Sequence, residues 1–106
     1  MAISLDDRRK GFESKWVHDA ELRFQVEARR NRALGEWAAA KKGLAGAAVE
    51  DLVASVIAAD FEEAGDQDVF RKLRSELDAS VSDAVIREKM NECLNVALDQ
   101  AAKAAG

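Results

Sequence analysis

Apolar residues recur along this chain at steps of three and four, and no stretch alternates for the length of a strand. The clearest run is Val49, Leu52, Val53, Val56, Ile57 and Phe61, which predicts a helix over about 47–64 with Gly65 at its C-terminal cap. A shorter helix follows in "QDVFRKLRSELDA". Asp66 is placed to cap it, and Phe70, Leu73 and Leu77 share one face. Ser80 or Ser82 opens a further helix whose stripe is Ile86, Met90, Leu94, Ala97 and Ala101, flanked by Val85, Cys93 and Leu98. Upstream, a long helical stretch ends near Lys42, where "KKGLAG" supplies cations for the last turn and glycines to stop it. Connections of a few residues favour antiparallel neighbours, so the expected architecture is all-α, a small four-helix bundle.

The front of the chain fits that bundle only in part. On a helical wheel Leu22, Val26, Ala33 and Trp37 fall on one narrow line, with Arg29 or Arg30 at the missing rung. Carried upstream, the same line meets Asp19 and Lys15, which are not core residues. Phe12, Trp16 and Val17 stand among charges, and Gly11 interrupts the segment. Such a segment is only marginally helical in water. Residues 1–20 are therefore expected to form a flexible or fraying arm, and residues 21–106 the bundle. Phe12 and Trp16 are four residues apart, the spacing of two anchors on one helix face. They either wait for a partner's groove or fold back onto the bundle as its rim.

Composition agrees with the helical reading. Of 106 residues none is proline or tyrosine, alanine is abundant and 34% are charged. No apolar run approaches the length of a membrane span, and "MAISLDDRRK" lacks the apolar core of a secretion signal, so a cytoplasmic setting without membrane insertion is expected. The net charge of −4 is unevenly spread: residues 1–42 hold ten Lys/Arg against seven Asp/Glu, whereas residues 43–106 hold six against thirteen. That balance argues against nucleic acid as a partner.

Candidate chemistry is sparse. His18 is the only histidine and has no cysteine near it, which argues for a solvated surface position and against a metal site. Cys93 lies beside an apolar stripe and reads as a small buried hydrophobe. The basic cluster "EARRNR", residues 27–32, reads as a solvated face paired with Glu27 and Glu36. The acidic "DFEEAGDQD", residues 60–68, lacks calcium-loop spacing and reads as two helix ends with their connecting turn. No nucleophile–base pair, phosphate loop or zinc pattern appears, so catalysis is not expected and a binding or regulatory protein is.

Two stretches then narrow the reading. "DDRRKGFESKWVHDAELRFQVEARRNRALGEWAA" and "AADFEEAGDQDVFRKLRSEL" resemble the zeta subunit, the ATPase-inhibitor family of alphaproteobacterial F-type ATP synthases, and the likeness covers nearly the whole chain. The resemblance implies a four-helix bundle and an N-terminal segment, disordered in the free protein, that inserts at a catalytic αβ interface near the γ subunit. There it would block ATP hydrolysis and affect synthesis less. It implies association with the α, β and γ subunits at the cytoplasmic face of the inner membrane. Matching positions are Asp6, Asp7, Arg8, Phe12, Glu13, Lys15, Trp16, His18 and Asp19; Arg9 joins them as a cation able to meet carboxylates. Trp16 and Gly11 depart from the family's pattern, which has phenylalanine at the former. No cofactor is expected, although the family also allows weak ATP or ADP binding at a site the sequence does not place. The alternative function is accordingly a small helical bundle that senses adenine nucleotide.

Overall fold

The computed structural model describes residues 19–61 and 66–105. Among these, four helices account for the regular structure: α1 (Ala20–Lys42), α2 (Ala47–Ala59), α3 (Gln67–Glu76) and α4 (Asp83–Ala105). The helix α1 starts where Asp19, in an extended conformation, turns its carboxylate onto the N–H groups of Glu21 and Leu22 at 3.0 and 3.2 Å. It stops at Gly43, whose φ of 72° is left-handed and lets the Leu44 N–H reach back to the Ala39 carbonyl. Ser82 opens α4 by accepting from the Val85 N–H at 3.2 Å, one of the two serines the sequence offered.

α1 is the central element and packs against each of the other three. It lies antiparallel to α4 along its whole length. Val26 meets Ala97, Leu98, Ala101 and Ala102 near one end, and Trp37 lies beside Lys89 toward the other. The larger core cluster gathers Leu34, Ala38, Val56, Leu73, Ile86 and Met90 from all four helices. Burying such side chains contributes roughly 1.5–3 kcal/mol each relative to exposure. Cys93 is buried within this cluster, as its place beside the stripe implied. Burial pushes its thiol pKa up and so keeps it in the unreactive form.

Three details differ from the sequence reading. The buried line of α1 is Val26, Arg30, Leu34 and Ala38, while Ala33, Trp37 and Leu22 are half-buried at its edge. The missing rung is thus filled by Arg30, because α2 and α4 cover α1 from two sides and its inward face is broad. The helix α2 ends at Ala59, before the expected 64, and Phe61 leaves the core face to stand 67% exposed. Asp66 does not cap α3 with its side chain, since its carboxylate is engaged by Arg30. The expected cap at Gly65 lies outside the described residues.

Candidate functional site

The most concentrated polar chemistry among the described residues sits where α1 crosses the end of α2. Arg30 is 2% exposed and so is Asn31, a costly pair to bury without partners. Both are satisfied. The Arg30 Nη2 donates to Asp60 Oδ1 at 3.3 Å and its Nη1 to Asp66 Oδ1 at 2.6 Å. Its Nε donates to Asn31 Oδ1 at 3.0 Å, and Asn31 Nδ2 donates to Asp60 Oδ2 at 3.0 Å. One guanidinium therefore holds the carboxylates on either side of the α2–α3 connection against α1.

This overturns the reading of "EARRNR" as a solvated face. Arg30 and Asn31 point inward, and Arg32 pairs across to Glu50 of α2 at 3.3 Å instead of along its own helix. The acidic stretch does mark two helix ends, as read, but its flanking Asp60 and Asp66 are counter-ions of a buried cation. No signal in the linear sequence separates Arg30 from Arg29. The missing rung of the Leu22–Val26 line pointed to the pair without choosing between them.

Beside the network lies an open cleft of about 270 Å³ between α1 and α2, lined by Phe24, Glu27, Ala28, Asn31, Ile57, Asp60 and Phe61. Phe24 is 52% exposed, and its ring centroid lies 5.9 Å from that of Phe61, the two planes tilted by 35°. The two rings pair at the surface, with Ala28 and Ile57 lining the same cleft. Glu27 stands on its wall. Burial and the nearby Asp60 push the Glu27 carboxyl above the usual carboxylate range, while Arg30 and Arg23 pull it back. Phe24 was detectable as an aromatic off the apolar stripe of α1; Phe61 was not, because its exposure depends on where α2 stops.

Of the residues the sequence singled out for partner binding, Asp19 is placed as the cap of α1. Asp6, Asp7, Arg8, Arg9, Phe12, Glu13, Lys15, Trp16 and His18 lie outside the described residues.

Comparison with known families decides the broader identity. The model of a family described as ATPase inhibitor subunit zeta matches residues 1–100. The chain belongs to this family. A search of curated proteins finds no match. The zeta family's name describes an inhibitor of an ATPase, in keeping with the regulatory role expected from the sequence. For this zeta-family chain no described helix is long and apolar enough to cross a membrane. Among its described residues no cluster of His, Cys, Asp and Glu is suited to a metal ion.

Proposed function

We propose that the protein is a regulatory subunit of an F-type ATP synthase, and that its segment 1–20 inhibits ATP hydrolysis by entering a catalytic αβ interface close to γ. The observation that supports this most is the family match, which spans the front segment and the bundle together. In this reading Phe12 and Trp16 are the apolar anchors, and Arg8, Arg9 and Lys15 find carboxylates in the enzyme. Asp6, Asp7, Glu13, His18 and Asp19 complete the contacting set. The protein works at the cytoplasmic face of the membrane, held there by the ATP synthase.

The test is to add the purified protein to the ATP synthase of its own source, depleted of the endogenous subunit, and follow ATP hydrolysis. Saturable inhibition is expected. The double substitution Phe12→Ala, Trp16→Ala should raise the half-inhibitory concentration at least tenfold, the loss of about 1.4 kcal/mol that one aromatic anchor exceeds. Hydrolysis that continues unchanged at saturating protein would refute the inhibitory role.

A further inference from the structure

The cleft beside Phe24 and Phe61 has a property the proposed inhibition does not use: it is open, aromatic and acidic at once. Phe24 and Phe61 are 52% and 67% exposed. Glu27 lines the same cleft as Phe61. The charged groups around Glu27 are Arg23 and Arg30 on its own helix, with Asp60 at the C-cap of α2 and Asp66 ahead of α3. Arg30 is already committed to both of those aspartates. The surface thus offers aromatic stacking next to a carboxylate placed to accept a cation.

A segment of matching chemistry is tethered to this surface. Residues 1–18 precede Asp19 and contain Phe12 and Trp16; their charges are Arg8, Arg9, Lys10 and Lys15 against Asp6, Asp7 and Glu13, and within residues 8–16 the four cations are opposed by Glu13 alone. In "FESKW" a lysine directly precedes the tryptophan, so one short stretch carries both a ring and a cation. Reach is sufficient. Phe24 stands about 7.5 Å along the helix axis from Asp19, at 1.5 Å per residue. Phe12 lies seven residues before Asp19 and Trp16 three, spans of up to about 23 and 10 Å in extended form, so either ring can turn back as far as Phe24. A short tether of this kind gives an effective concentration on the order of millimolar, enough to populate even a weak contact.

We propose that the segment Arg8–Trp16 docks reversibly onto the α1–α2 cleft of its own chain, with Trp16 or Phe12 against the Phe24–Phe61 pair and Lys15 facing Glu27. This contact occupies the aromatic anchors in the free protein. Its regulatory consequence, though not the contact itself, rests on the inhibitory reading above: the latch must open before the anchors can enter the enzyme. Apparent potency then falls by the fraction of molecules that are open.

Two measurements on the full chain test it. In amide NMR spectra, Trp16→Ala and Phe12→Ala should shift the resonances of Ala28, Ile57 and Phe61, and Phe24→Ala should shift those of Lys15 and Trp16. Cleft resonances that do not move in either arm variant would overturn the latch. Phe61 is exposed, so Phe61→Ala should fold normally, with an unchanged helical circular dichroism spectrum. In the hydrolysis assay it should lower the half-inhibitory concentration about two- to tenfold, for a latch closed between half and nine-tenths of the time. A higher half-inhibitory concentration would instead make the cleft a contact for the enzyme and overturn the proposal. If wild type and variant both leave hydrolysis untouched, the inhibitory reading fails, and the NMR shifts decide the latch alone.

Discussion

Arg30 occupies a rung that an aliphatic residue could fill, and its guanidinium is nonetheless bonded at all three nitrogens. Burying a charge is tolerable here because Asp60, itself only 12% exposed, and Asn31 complete the network. Removing one partner strands the others, so Arg30→Ala should destabilise the fold by about 3 kcal/mol in urea unfolding followed by circular dichroism. A loss below about 1 kcal/mol would mean that water replaces the guanidinium without penalty. Glu27, next to the network, has the opposite character. Its carboxyl is raised, so the folded state holds the proton more tightly than the unfolded chain. Its contribution favours folding below the unfolded pKa and is lost as pH rises through the folded one. Glu27→Gln should therefore stabilise the protein at pH 7, by at most about 0.5 kcal/mol after solvent screening. The gain should shrink as pH falls through the ordinary Glu range and vanish near pH 3, where the carboxyl is protonated in both states. A gain that persists at pH 3 would point to packing as the cause.

Helix starts and stops followed from local chemistry that a single sequence displays. Lys41, Lys42 and Gly43 at the end of α1 and Ser82 at the start of α4 act through their own side chains or backbone freedom, and each sits where it was expected. The end of α2 was hidden, because Asp60 is held by Arg30 and Asn31, thirty and twenty-nine positions away in sequence. The inward face of α1 was visible only as a direction. How broad it is depends on α2 and α4 both covering it. The crossing of α1 and α2 gives the sharpest example of such long-range control. A Cβ added to Gly35 would stand 2.7 Å from the Cα of Val53 and 2.9 Å from its Cγ2. Both are too close, and one of the two atoms is backbone. Within a helix alanine is better than glycine by about 1 kcal/mol, yet here Gly35→Ala should be net destabilising by about 1–2 kcal/mol, since the helices must separate. A rise in the thermal midpoint would show that the crossing has slack.

Charge is unevenly spread along the chain: residues 1–42 hold an excess of cations and residues 43–106 an excess of carboxylates. Ahead of Asp19 the cations gather in residues 8–16, four against the single carboxylate of Glu13, so in the proposals above this stretch is drawn both to the Glu27 cleft and to carboxylates of a partner. Which attraction wins depends on the form the arm takes when bound. If segment 1–20 becomes helical in the enzyme, Gly11 opposes that form by about 0.5–1 kcal/mol relative to alanine. Gly11→Ala should then lower the half-inhibitory concentration for ATP hydrolysis about two- to fivefold. Gly11 lies within the docking segment, but the rings and Lys15 make its proposed contacts, so Gly11→Ala should act on helix formation in the enzyme and multiply the effect of Phe61→Ala on docking. A Gly11→Ala variant of unchanged potency would place Gly11 outside the helical part of the bound arm. Strict dependence of its effect on Phe61 would mean that the substitution acts on the latch and not on the enzyme-bound helix.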